Sequence, residues 1–191
     1  MEYVLVVSSI LLWIMLLLNL LLTLALVRKV NKSSQGQQQP KGLEPGTPAP
    51  DFSASTLDGE TVTLARYAGR SAAFIFMSTH CAPCRTTMPE LEKVYPLACQ
   101  AGVEMVLVMK EDAEEVRRFL QEMESSIPAL IAPPGKDSFH ERYQSPGTPS
   151  YCIIDERGVV LSSGHPTSVM GDWQQYVESW RKKEVAGSRR S

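Results

Sequence analysis

Several classes of protein are excluded by what this sequence lacks. Its 191 residues carry 19 Lys and Arg against 21 Asp and Glu, so no excess of positive charge exists to draw in nucleic acid. Only four cysteines are present, too few to staple a miniature scaffold that has no core. Aromatic residues make up just 7%, yet the hydrophobic share is 43%, which rules out a chain disordered throughout. No internal repeat is visible, which removes solenoid and propeller architectures. A chain of this length accommodates one compact domain and a modest extension.

The apolar content is unevenly spread. Residues 4–27 contain no charge, and their only polar side chains are Ser8, Ser9, Asn19 and Thr23. As a helix this run extends about 36 Å, more than the ~30 Å hydrocarbon core of a bilayer. A cleavable leader is the competing reading. Against it stand the length of the run, the lack of a basic segment before it and the lack of a small-residue cleavage motif before Arg28. The expectation is an uncleaved single-pass anchor. Arg28, Lys29 and Lys32 follow it, and the positive-inside rule would keep that flank in the cytoplasm. Residues 28–47 read as a flexible tether, rich in Gln, Ser, Gly and Pro from Asn31 onward, with Leu43 the only large aliphatic residue of that stretch. The tail, 184–191, is polar and expected to be disordered.

Between tether and tail, residues 48–183 alternate strand and helix signals. Segments 53–57 and 60–64 flank Asp58-Gly59, the dipeptide a type I′ hairpin favours. Residues 72–77 and 103–109 are unbroken apolar runs, as in strands buried on both faces. Segments 83–98 and 112–124 read as helices, the second with Val116, Phe119, Leu120 and Met123 on one face and Asp112 at its positive end. A short piece at 129–131 leads to a small helix at 138–143, then to a strand pair at 151–154 and 159–163. A closing helix at 172–183 would turn Trp173, Tyr176, Val177 and Trp180 inward. This order predicts an α/β fold: a mixed central sheet flanked by helices, opened by a β-hairpin.

The chemistry concentrates at Cys81-Ala82-Pro83-Cys84, where a buried strand gives way to a helix. Two intervening residues at a helix start allow the sulfurs to meet in a disulfide. The first sulfur stands near unpaired backbone N–H groups, whose partial positive charge favours a thiolate. Pro83 suits the first turn, where its missing donor costs nothing. These features cast Cys81 as an exposed attacking sulfur and Cys84 as the one that resolves a mixed disulfide. Half of a zinc site and a purely structural disulfide are the alternatives; Cys99, Cys152, His80, His140 and His165 supply no second close pair of cysteines for zinc.

Residues 74–85 (FIFMSTHCAPCR), followed by Met88-Pro89-Glu90-Leu91, resemble the active-site segment of membrane-anchored thioredoxin-like proteins of the TlpA/ResA type. Gly147-Thr148-Pro149-Ser150 resembles that family's cis-proline loop. The opening Pro48-Ala49-Pro50-Asp51-Phe52 is similar to the redoxin and thiol-antioxidant branch, and the anchor-plus-linker plan is similar to the thioredoxin-like protein that matures methylamine dehydrogenase. The resemblance implies a thioredoxin-like fold and a redox-active Cys81–Cys84 disulfide. It also implies a cis Pro149 packed against the cysteines, and a Thr148 backbone that pairs with an extended client strand. By the same likeness His80 and Pro83 would face the client.

Three departures accompany the likeness. His80 replaces the usual tryptophan, Ile75 stands where thioredoxins bury an aspartate, and Thr87 stands where ResA-like proteins carry a glutamate. Cys84 is thereby left without an evident proton acceptor, and His80 is either that acceptor or a tuner of the Cys81 thiolate. A peroxiredoxin would place proline at residue 74, which is Phe, and a Sco-like copper chaperone uses a longer cysteine spacing with a distal histidine. Cys99 and Cys152 are expected to be buried and inert, and His140 and His165 solvated. Glu114, Glu115, Arg117 and Arg118 are expected to form a solvent-facing helix surface. The sequence thus predicts a membrane-tethered thiol–disulfide oxidoreductase acting on protein thiols and disulfides, without cofactor or metal. Its domain is expected outside the cytoplasmic membrane, against the pull of the basic flank.

Overall fold

The computed structural model describes residues 2–36, 42–135, 138–145 and 147–165. Two compact units divide the chain, Met1–Gln39 and Pro40–Ser191. The first contains helix α1, Glu2–Gly36, whose segment Val6–Leu24 is long and apolar enough to cross a membrane. Within it Thr23 Oγ1 donates to the Asn19 carbonyl at 2.8 Å, which satisfies the hydroxyl inside its own helix. The helix continues through residues 28–36, which the sequence assigned to the tether. An established helix adds each further residue at little cost, so polar residues after an apolar run can extend it.

The second unit begins earlier than residue 48. Leu43 is 8% exposed and packs with Phe52, Val160 and their neighbours. Ser163 Oγ donates to the Leu43 carbonyl at 2.7 Å, and the Gly46 N–H donates to the Val160 carbonyl at 2.8 Å. Gly42 sits with φ +75°, and a Cβ there would fall 2.3 Å from Ser163 Oγ, so only glycine fits. One buried leucine, with backbone bonds on either side, is enough to fasten residues 42–47 to the domain and correct the tether reading.

The sheet has seven strands. β1 (Ser53–Thr56) and β2 (Thr61–Thr63) form the opening hairpin, followed by a 3₁₀ turn at Leu64–Tyr67. β3 (Ser71–Met77), α2 (Ala82–Gln100), β4 (Val103–Met109), α3 (Ala113–Glu122) and β5 (Ala129–Ile131) come next. The short helix α4 (Phe139–Arg142), β6 (Ser150–Ile154) and β7 (Val160–Gly164) complete the described part. Their order across the sheet is β2-β1-β5-β4-β3-β6-β7. β3, β4 and β5 run parallel, while β6 is antiparallel to β3 and to β7. The expected closing helix, with Trp173, Tyr176, Val177 and Trp180, lies outside the described residues.

Strand β3 lies inside the sheet, between β4 and β6, and both its faces are apolar. Ala73, Ile75 and Met77 face Leu91 of α2 and Val116 and Phe119 of α3, all 2% exposed or less. Ala72, Phe74 and Phe76 face the other way into an aromatic layer with Phe52, Tyr67, Phe139 and Tyr143. Phe52 stacks on Phe139 at 3.7 Å between centroids, and Phe74 meets Tyr67 edge-on at 5.0 Å. The hairpin is not the type I′ that Asp58-Gly59 suggested. Only Gly59 takes a positive φ (+86°), and its N–H returns to the Thr56 carbonyl at 3.0 Å, leaving a longer loop.

Candidate active site

β3 ends at Met77, and four residues carry the chain to α2. Ser78 and Thr79 are buried polar residues and each finds a carboxylate. Ser78 Oγ donates to Glu111 Oε1 at 2.5 Å, just beyond β4, and Thr79 Oγ1 donates to Glu115 in the first turn of α3. The loop is thereby pinned to the two segments beside it. His80 follows with a side chain 77% exposed, its Nε2 3.1 Å from the same Glu115 oxygen.

Cys81 is the N-cap residue of α2, extended at φ −93° and ψ 108°. Its Sγ accepts the Cys84 N–H at 3.3 Å, the bond a serine or aspartate oxygen makes at other helix starts. Pro83 lies in the first turn, where no donor is needed. Cys81 is half-buried and Cys84 entirely buried, and both are free thiols. Burial, with a smaller contribution from the hydrogen bond to Cys81, pushes the Cys84 thiol up to about 12. One sulfur is reachable; the other stays protonated in the interior.

Across from the helix start lies the turn before β6. Its Thr148–Pro149 peptide is cis, the geometry the family resemblance implies. Cys81 Sγ donates to the Thr148 carbonyl at 3.2 Å, and Pro149 itself is buried. Cys81, Cys84, Pro83, Thr148 and Pro149 are therefore one cluster. His80 adjoins it but is engaged by Glu115, on the solvent side.

Other sequence expectations are corrected. Cys99 is exposed rather than buried, at the far end of α2 beside a cavity of about 660 Å³ that includes Tyr67, Tyr95 and Val103 in its wall. Cys152, by contrast, is buried as expected, and burial raises its thiol to about 12. His140 is not solvated. It packs on Phe76 at 5.1 Å, its Nε2 is buried, and burial with the nearby Lys110 charge lowers it to about 4, against a weaker upward pull from Glu111. His165 is no isolated surface residue either, since its Nδ1 lies 2.8 Å from the Pro149 carbonyl. In the charged cluster of α3, Glu115 serves Thr79 and His80, and Arg117 Nη2 donates to the Leu57 carbonyl at 2.6 Å. Nothing local to His165 signals this contact, which the pairing of β6 with β7 creates.

A parallel core strand feeding a Cys-X-X-Cys helix start, faced by a cis-proline turn, defines the thioredoxin-like class. Comparison with known proteins agrees. The Redoxin family model matches residues 44–172. The thioredoxin-like protein YneN of Bacillus subtilis is 34% identical over 140 residues, covering 72% of this chain and 81% of that protein. The thiol-disulfide oxidoreductase ResA of Geobacillus thermodenitrificans is 30% identical over 135 residues, covering 70% and 76%. Among solved structures, a DsbE-type thiol:disulfide interchange protein of Chlorobium tepidum superposes with a TM-score of 0.63 at 24% identity, over 72% of this chain and 99% of its own. The chain belongs to the Redoxin family.

Proposed function

We propose that this protein is a membrane-tethered thiol–disulfide oxidoreductase that exchanges disulfides with protein clients through Cys81 and Cys84. One observation carries the reading. A half-exposed sulfur caps a helix beneath the Thr148 carbonyl, and the second sulfur of the pair is held protonated directly behind it. Cys81, as thiolate, attacks one sulfur of a client disulfide. A Cys81–client bond forms and the other client sulfur leaves with the electron pair. Cys84 then passes its proton to the client thiolate already released and attacks Cys81 Sγ, which breaks the Cys81–client bond and releases the second client thiolate. Two electrons pass to the client, and Cys81–Cys84 is left oxidised; the reverse sequence donates a disulfide. Thr148 offers its backbone to an extended client segment, and His80 and Pro83 border the place where it lies.

Removing the resolving thiol tests this cycle. Cys84→Ser should accumulate mixed disulfides that disappear on reduction, and Cys81→Ser should accumulate none. Equal yields from the two variants would sink the reading.

The domain belongs, in our reading, on the extracytoplasmic face of the membrane, tethered by α1. Exchange with client disulfides calls for a compartment where disulfides persist. Arg28, Lys29 and Lys32 pull the other way, but the positive-inside rule is statistical. A membrane-impermeant maleimide applied to intact cells should label the domain's thiols; labelling only after lysis would place the domain in the cytoplasm.

A further inference from the structure

The turn at residues 147–149 presents three successive carbonyl oxygens, and each is met by a side chain from a different part of the chain. Ser145 Oγ donates to the Gly147 carbonyl at 3.2 Å, and Cys81 Sγ donates to the Thr148 carbonyl at 3.2 Å. His165 Nδ1 lies 2.8 Å from the Pro149 carbonyl. A carbonyl oxygen only accepts, so Nδ1 carries the hydrogen. The ring also covers the turn, its Cε1 4.0 Å from where a Cβ on Gly147 would stand. Sheet register brings it there: Gly164 pairs with Tyr151, so the next residue reaches the start of β6. Gly164 has φ +156°, and a Cβ on it would lie 3.6 Å from the Tyr151 ring.

We propose that His165 is a positioning residue for client binding. By holding the Pro149 carbonyl, it fixes the backbone edge onto which a client's extended segment is laid before Cys81 attacks. The inference rests on the exchange reaction proposed above and adds the residue that orders the docking edge, so its loss is felt by disulfides within peptides and not by small disulfides. The hold of Cys81 on Thr148 is lost during exchange, because the sulfur gives up its hydrogen and bonds the client. The Thr148 carbonyl is then available to a client N–H. At that stage Ser145 and His165 brace the turn from either side of Thr148.

Rates of the reduced full-length protein in detergent would be measured with insulin and with hydroxyethyl disulfide, which has no peptide groups. His165→Leu should slow insulin reduction roughly five- to tenfold and leave hydroxyethyl disulfide within about twofold, the effect of losing one well-formed hydrogen bond in peptide binding alone. His165→Asn, which keeps an N–H near the position of Nδ1, should restore most of the insulin rate. Equal loss on both substrates, no loss on insulin, or no rescue by asparagine would each overturn the assignment. A wild-type protein that reduces hydroxyethyl disulfide but never insulin would overturn the reading of protein clients, and this inference with it.

Discussion

Burial divides the four cysteines into two kinds, and reactivity should follow. Cys81 and Cys99 are accessible, whereas Cys84 and Cys152 are enclosed and held protonated at neutral pH. Iodoacetamide treatment of the reduced native protein should modify the first two, and the others only after denaturation, as read by peptide mass spectrometry. His140 adds a pH dependence. Its folded value near 4 lies below the ordinary 6.5, because burial and Lys110 disfavour its charge more than Glu111 favours it. Below pH 6.5 the unfolded chain takes up a proton that the folded one refuses, so stability is full above that pH. It falls as pH drops toward 4, by up to roughly 3 kcal/mol. Tm measured across this window should decline, and His140→Phe should flatten the decline. At this scale the sequence was informative wherever chemistry is local. The spacing of Cys81 and Cys84 could be read directly, and the triplet ending at Pro149 through the family resemblance. His140, His165 and Glu115 could not, because their partners (Phe76, Pro149, His80) are set by sheet packing rather than by neighbours in the chain.

Elements were legible where their apolar pattern was long. β3, β4 and α3 appear within a few residues of the expected limits, since unbroken or face-restricted apolar runs leave few other arrangements. Their ends depend on single side chains. Asp112 caps α3 by accepting the Glu115 N–H at 2.9 Å, and Asp112→Ala should cost about 1 kcal/mol in denaturant unfolding. The same change should loosen Glu115, and with it His80, so nuclear magnetic resonance signals of the His80 ring should shift. Turn type was the least legible feature. Asp58-Gly59 suits a two-residue turn, yet Arg117 reaches across from α3 to the Leu57 carbonyl and lies 3.4 Å from Asp58, a contact that no local pattern announces.

At the scale of the whole molecule, the domain edge was misplaced because composition alone cannot show that one leucine in a polar stretch finds a pocket. A protein beginning at residue 40 should fold as the full domain does. Leu43→Ala within it should remove about 2 kcal/mol or more of core packing. That loss should appear as a fall in Tm on the order of 5 °C in a thermal melt. Sequence distance within the site carries a further consequence. Cys81 meets Thr148 across a separation of 67 residues, and His165 comes later still. During synthesis both sulfurs therefore emerge well before the surface that would present a client to them. On the docking role proposed for this edge, the nascent chain would carry its dithiol without a place to seat a client until the last strands close the sheet, and selective exchange would start only once the domain is complete.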